Sequence, residues 1–285
     1  MKIGLTKINK NNPIFTIAEI GINHNGDIKK ALRLIKLCKD TGFDSVKFQK
    51  RNPDICVPEN QKGIERDTPW GRMTYIEYKH KIEFGNKEYD IIDNYCKENN
   101  IVWFASVWDI DSLNFFDNYN IPVYKVPSAC ITDMKLVKSI SKIRKPTIIS
   151  TGMSTTVEID EVVKLFEPNQ FALLHCCSAY PSPYEDLNLR AIRTLKKRYK
   201  CNVGYSGHES GIATSVAAGA IGAEIIERHV TLDRATWGTD QAASLGPSGM
   251  EKFIRDLRLV EKSMGNGEIY VRDSELPIRE KLRKY

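Results

Sequence analysis

Eight short runs rich in β-branched and aromatic residues punctuate the chain. They are FTIAEIG (15–21), SVKFQK (45–50), IVWFASV (101–107), VYKVPS (123–128), PTIISTG (146–152), FALLHCC (171–177), NVGYSGH (202–208) and AEIIERHV (223–230). Between them lie stretches such as DIKKALRLIKLCKDTG, MKLVKSISKIRK and GIATSVAAGAIG, whose apolar residues recur at helical spacing. Strand-like and helix-like segments alternate, which predicts a parallel sheet. Eight such units in 285 residues predict a single α/β domain closed as a (β/α)8 TIM barrel.

Two segments depart from the repeat. Residues 1–13 precede the first strand and are expected to cap the barrel floor. Residues 51–88 follow the second strand as a long insertion containing DTPWGRMTYIEYKHKIEF, with Arg66, Trp70, Arg72 and Tyr75. Insertions after barrel strands lie on the catalytic face, so this one is expected to cover an active site. Residues 265–285 read as a C-terminal tail.

Composition narrows the class. The chain is 41% hydrophobic and 27% charged, as soluble globular proteins are. It has no apolar run long enough to span a membrane. MKIGLTKINKNNP contains no apolar secretory core, which with seven unpatterned cysteines leads to the expectation of a reduced, cytoplasmic protein. The net charge is a mild +6, and the individual charges alternate in sign along the helical segments, which argues against a nucleic-acid surface.

The polar residues of the strand-like runs carry the chemistry. Alternate side chains of a strand share a face. Lys47 and Gln49 therefore share one face, as do Ser206 with His208 and Glu227 with His229. Glu19, Ser106, Lys125, Ser128, Ser150, His175 and Ser178 fall near the ends of the other strands. The C-terminal rim of such a barrel is where its enzymes react. Each serine alone reads as well as a helix cap. Lys47 and Lys125 are different, because an unpaired ammonium inside a barrel is costly. Together with the serine hydroxyls they predict a pocket for phosphate and carboxylate. His208 and His229 end adjacent strands; they are either two ligands of a divalent cation or core histidines satisfied by backbone carbonyls. As ligands they would suit Mn²⁺, Mg²⁺ or Fe²⁺, since no CxxC or HExxH pattern supports zinc. Asp240 lies just beyond the eighth strand. Neighbours on a strand point apart, so Cys176 and Cys177 read as packing residues rather than partners of His175. No glycine-rich nucleotide loop is present.

The segments IAEIGINHNG, VKFQK, KVPSA, STGMS, HCCSAYPSPYEDLNL, GYSGHE and ERHVTLD resemble, in that order, the sialic acid synthase family, from about Phe15 to about Tyr285. The resemblance implies a TIM barrel that joins phosphoenolpyruvate to N-acetylmannosamine or a related amino-sugar aldehyde, with or without a 6-phosphate. It implies that Lys47, Ser106, Lys125, Ser128, Ser150 and Ser206 hold phosphoenolpyruvate. His208 and His229 would ligate Mn²⁺ or Mg²⁺. Glu19, Gln49, Tyr180 and Asp240 would meet the sugar, with Glu19 and Asp240 as the candidate proton-transfer groups. A homodimer is the expected assembly. The chain departs from the family in two ways: Cys130 stands where several members carry a glutamate, and the sequence stops near where a C-terminal antifreeze-like domain would begin. The rivals are a related phosphoenolpyruvate-dependent keto-acid synthase and a catalytically inactive barrel that binds a sugar acid.

Overall fold

The computed structural model describes residues 1–284; Tyr285, the last position of the resemblance and of the expected tail, lies outside them. The eight runs form parallel strands: β1 (Phe15–Gly21), β2 (Ser45–Lys50), β3 (Val102–Val107), β4 (Tyr124–Val126), β5 (Thr147–Ser150), β6 (Phe171–Cys176), β7 (Asn202–Gly207) and β8 (Ile225–His229). They pair in chain order, and β8 returns to β1 to close the barrel. β4 ends short of the expected Ser128 because Pro127 has no N–H to continue the ladder. Helices follow the strands in turn: α1 (Ile28–Thr41), α2 (Asn86–Glu98), α3 (Ile110–Phe115), α4 (Met134–Ile143), α5 (Thr156–Val163), α6 (Ala191–Tyr199), α7 (Ala213–Ala220) and α8 (Pro247–Ser263).

Local chemistry sets the helix ends. The Asp27 carboxylate accepts from the Lys29 and Lys30 amides at the start of α1, and Gly42 ends it in the left-handed region at φ 92°. Along β2, Val46 and Phe48 are fully buried and alternate with the inward Lys47 and Gln49. Phe48 meets Tyr89 of α2 edge-on, with centroids 6.2 Å apart. The main apolar core thus lies between the barrel wall and the helices, leaving the barrel's upper interior polar.

A small hairpin of Lys2–Ile3 and Thr6–Lys7 precedes the barrel. Ile3 and Ile8 are buried in the main core, and the terminal ammonium donates to Asn202 Oδ1 at 2.8 Å, at the start of β7. Residues 51–88 form a layer of short helices, a hairpin of Glu65–Thr68 and Gly71–Thr74, and an insertion helix, Tyr75–Ile82. Thr74 and Glu77 close a capping box at the start of that helix. The layer packs over the β1–α1 and β8–α8 loops. Tyr78 meets Trp237 edge-on at 4.9 Å, and Trp70 approaches the same ring at 6.1 Å. Gly26 in the β1–α1 loop has φ 72°, and a Cβ there would sit 2.6 Å from the Lys81 carbonyl oxygen. Only glycine permits that approach.

Residues 262–284 are exposed throughout, and a short helix, Leu276–Leu282, lies within them. No helix among the described residues is long and apolar enough to cross a membrane.

Candidate active site

Parallel register brings the inward residues to a common level at the C-terminal rim. Glu19 stands opposite His229 on one side and Lys47 on the other. Gln49 pairs with Ser106, Ser106 with Lys125, and Ser206 with Cys176 and Glu227. These side chains enclose a cavity of about 200 Å³ at the barrel mouth. Of the residues proposed from sequence, Glu19, Lys47, Gln49, Ser106, Lys125, Ser128, Ser150, Tyr180, Ser206, His208 and His229 line it. Asp240 stands just outside, its Oδ2 3.8 Å from His229 Nδ1.

The two lysines are not left unpaired, contrary to the premise drawn from sequence. Lys47 Nζ lies 2.8 Å from Glu19 Oε2 and 3.6 Å from Glu227 Oε1, and Lys125 Nζ lies 3.9 Å from Glu227 Oε1. Lys125 also donates to Ser150 Oγ at 2.5 Å, and Ser206 donates to Glu227 Oε1 at 3.1 Å. All four charged groups are buried. Burial raises the Glu19 carboxyl to about 7, with Lys47 opposing the rise and Glu227 adding to it. Burial also pushes Glu227 upward, but Lys125 and Lys47 outweigh it and hold that carboxyl well below its usual range. Burial lowers the Lys125 ammonium, against the pull of Glu227. Glu227 therefore stays ionised while Glu19 sits near half-protonation at neutral pH, so the cluster tends toward a surplus of positive charge. An anion entering the cavity meets two ammonium groups and several hydroxyl donors.

The wall beyond Lys125 is built on close approach. The Gly152 amide donates to Ser128 Oγ at 3.0 Å, and that hydroxyl lies 3.1 Å from Cys176 Sγ. A Cβ on Gly152 would meet Ser178 Oγ at 2.3 Å and both Cys176 Sγ and Ser128 Oγ at 2.8 Å. Cys176, read from sequence as packing, is thus part of the cavity wall. His175 points away and makes a 2.7 Å contact with the Leu187 carbonyl.

His208 and His229 both line the cavity, their rings tilted by 52° to one another. Their ring centroids are 5.4 Å apart. His208 Nδ1 lies 2.7 Å from the Cys177 carbonyl, which can only accept, so Nδ1 carries the proton. Burial, reinforced by His229, lowers His208 to about 4 and keeps it neutral. Its Nε2 lone pair accepts from the Tyr180 hydroxyl at 3.0 Å. His229 Nδ1 is buried without a partner, as is Glu227 Oε2. His208 thus has both ring nitrogens engaged, one of them by a backbone carbonyl, whereas His229 Nδ1 has no partner. No group of three or more His, Cys, Asp or Glu residues with metal-ligand geometry occurs among the described residues, so a cation here would draw on these two imidazoles plus water or substrate oxygens. Behind them, the fully buried Arg228 on β8 donates to Glu209 Oε1 at 3.0 Å and to the Gly211 carbonyl at 2.8 Å. This ties the loop after β7 to β8 and sets the spacing of the two rings.

Sequence reading gave no role to Glu227 or Trp108, both of which line the cavity. Glu227 was signalled by its place two residues before His229. Trp108 was not, because it lies past the end of β3 and reaches the rim only through the loop.

The model of the NeuB family matches residues 34–269. The chain is 39% identical to the human N-acetylneuraminate-9-phosphate synthase, over 95% of this chain and 77% of that protein. It is 35% identical to the N,N'-diacetyllegionaminic acid synthase of Campylobacter jejuni, over 88% and 77% respectively. Among solved structures, the N-acetylneuraminic acid synthetase of Leptospira borgpetersenii in complex with citrate superposes with a TM-score of 0.88 at 33% identity, covering 100% of this chain and 98% of that one.

Proposed function

The chain belongs to the NeuB family, and from that premise we propose that it condenses phosphoenolpyruvate with N-acetylmannosamine or a related amino-sugar aldehyde, giving a nonulosonic acid and phosphate. The observation that carries the reading is the cavity in which Lys47 and Lys125 stand among Ser106, Ser150 and Ser206. Two ammonium groups and a row of hydroxyls suit a ligand with a phosphate and a carboxylate close together.

The bond changes balance without a redox partner. C3 of phosphoenolpyruvate bonds to the aldehyde carbon, whose oxygen becomes a hydroxyl. Water adds at C2, the C2–O bond to phosphorus breaks, and C2 is left as a ketone. Lys47 and Lys125 hold the phosphate and carboxylate charge through these steps. Glu19, near half-protonation at neutral pH, takes a proton from water or returns one to the new hydroxyl. Gln49 donates to Glu19 Oε1 at 2.9 Å and fixes the orientation of that carboxyl. Tyr180 and Asp240 face the sugar. His208 and His229, both neutral and both lining the cavity, with His229 Nδ1 lacking a partner, fit a Mn²⁺ or Mg²⁺ ion. Such an ion, when bound, supplies Lewis acidity at the aldehyde oxygen.

The test is phosphate release on mixing the protein with phosphoenolpyruvate, Mn²⁺ and each of a panel of hexosamines and their 6-phosphates. Release that requires both substrates is expected. Phosphoenolpyruvate left intact with every sugar would overturn the reading.

A further inference from the structure

Strand alternation carries on one residue past the end of β2. Gln49 and Arg51 share a face, and Lys50 points the other way, its Nζ 2.9 Å from both Glu83 Oε1 and the Phe84 carbonyl oxygen. The backbone here is held on both flanks. The Arg51 amide donates to Glu83 Oε1 at 3.2 Å, and the Asn52 amide donates to Asp109 Oδ2 at 2.7 Å. The Arg51 guanidinium lies over the Trp108 ring, 4.1 Å from its centroid. The Trp108 carbonyl in turn accepts from the Cys130 thiol at 3.5 Å and from the Cys56 thiol at 3.7 Å. Arg51 therefore stands on a fixed platform, from which it donates to Gln49 Oε1.

Gln49 uses its other end on Glu19. Its Nε2 donates to Glu19 Oε1 at 2.9 Å, while Lys47 Nζ holds Glu19 Oε2 at 2.8 Å. A Cβ on Gly21 would stand 3.1 Å from Gln49 Nε2 and 3.3 Å from Glu19 Oε1, so the amide and the carboxyl are packed closely together beneath a glycine. A primary amide keeps nearly the same shape when turned over, but its oxygen accepts and its nitrogen donates. Packing alone does not choose between the two orientations. A guanidinium has donors only, so it takes the oxygen and leaves the nitrogen for the carboxylate. Turned over, Gln49 would set an acceptor against Glu19 Oε1, and the carboxylate would keep only its contact with Lys47.

We propose that Arg51 is a positioning residue for the condensation: by binding Gln49 Oε1 it fixes the orientation of that amide, and through it the plane of the Glu19 carboxyl. The role rests on the condensation reading above and adds to it a residue that does not itself line the cavity.

Two measurements test it. The first is steady-state phosphoenolpyruvate consumption with the sugar that wild type turns over fastest, in wild type, Arg51→Met, Arg51→Lys, Gln49→Leu and the double variant Arg51→Met, Gln49→Leu. Arg51→Met should lower kcat by about tenfold, the effect of losing one hydrogen bond to a charged group, and leave KM for phosphoenolpyruvate unmoved. Arg51→Lys, which keeps a donor, should recover most of the loss. In the Gln49→Leu background, Arg51→Met should cost nothing further. A wild-type kcat in Arg51→Met, or an undiminished further loss in the Gln49→Leu background, would overturn the role. The second measurement needs no turnover. Gln49, Gln61, Gln170 and Gln241 are the glutamines of the chain, so selective nitrogen-15 labelling of glutamine gives a short side-chain amide spectrum in which Gln49→Leu identifies the Gln49 pair. The Gln49 amide protons should exchange with water about tenfold faster in Arg51→Met than in wild type. Those of the buried Gln241, bonded to Thr231, should keep their rate. Equal exchange at Gln49 in the two proteins, or equal acceleration at both glutamines, would overturn the role. If Arg51→Met does not fold, Arg51→Ala takes its place in both measurements. Absence of turnover in wild type with every sugar would overturn the condensation reading, while the exchange rates would still decide whether Arg51 fixes Gln49.

Discussion

Lys125 and Glu227 illustrate what a buried charge cluster is for. Desolvating both partners offsets most of their attraction, so such pairs add little net stability. Their value here is an interior that meets an anion with charge already in place. Lys125→Met should keep the volume and lose one charge-assisted contact, weakening phosphoenolpyruvate binding by about 1.5–3 kcal/mol, or roughly 10- to 150-fold. Calorimetry that finds the affinity unchanged would remove Lys125 from the anion pocket. Glu19 carries a pH signature of opposite sign to the usual surface carboxylate. Its folded pKa of about 7 lies above the ordinary 4.5, so between those values the folded state binds more protons than the unfolded one. Its contribution to stability is present below 4.5 and is lost as pH rises through 7. Glu19→Gln does not titrate, so it should gain stability relative to wild type between pH 4.5 and 7. Urea unfolding of both proteins at several pH values checks this; a constant difference would show that Glu19 does not titrate there.

Among the elements, the barrel units and the insertion behave differently with respect to sequence. Each barrel strand was legible because a run buried on both faces must be apolar, apart from the few inward polar positions near its end. The helices were legible from their periodicity and from caps such as Asp27 and Gly42. The inner structure of residues 51–88 was not legible. Its hairpin and short helices are held by contacts with the β1–α1 and β8–α8 loops, which are far away in sequence. Gly26 is one such contact. Gly26→Ala would force a Cβ against the Lys81 carbonyl, and an overpacked contact of this kind costs about 1–3 kcal/mol. The expected result is a lower Tm together with faster proteolytic cleavage within 51–88. Unchanged cleavage would mean that the insertion is anchored elsewhere. Trp237 should act on the same layer from the other side. Trp237→Ala removes the ring against which Tyr78 and Trp70 pack, so it should raise KM for the sugar more than KM for phosphoenolpyruvate. Equal rises in the two values would argue that the layer is not confined to the sugar side.

For the whole molecule, closure of the sheet is the decisive event. β7 and β8 pair directly and bring His208 beside His229, and the pairing of β8 with β1 adds Glu19 opposite His229. Arg228 and Glu209, both fully buried, then set the distance between the two loops. Arg228→Leu would leave Glu209 as an uncompensated buried charge, a loss of about 3–5 kcal/mol, read as a fall in the denaturant midpoint. The proposed metal at the two imidazoles would make turnover sensitive to chelation: activity should vanish with a chelator and return with added Mn²⁺. Full activity of His208→Ala in the presence of chelator would exclude that role.

Sequence alone determined the barrel, because the period of apolar residues dictates strand or helix and eight repeated units admit few closed arrangements. It also determined which residues could meet at the rim, because alternation along a strand places inward side chains without reference to the rest of the chain. Only the tertiary structure decided how those residues pair. That Lys47 and Lys125 share Glu227 and that Glu19 is pushed toward neutrality depend on which strand lies next to which. Distances between side chains far apart in sequence, and the burial that sets their charge, arise only when the sheet closes and the insertion folds over its mouth.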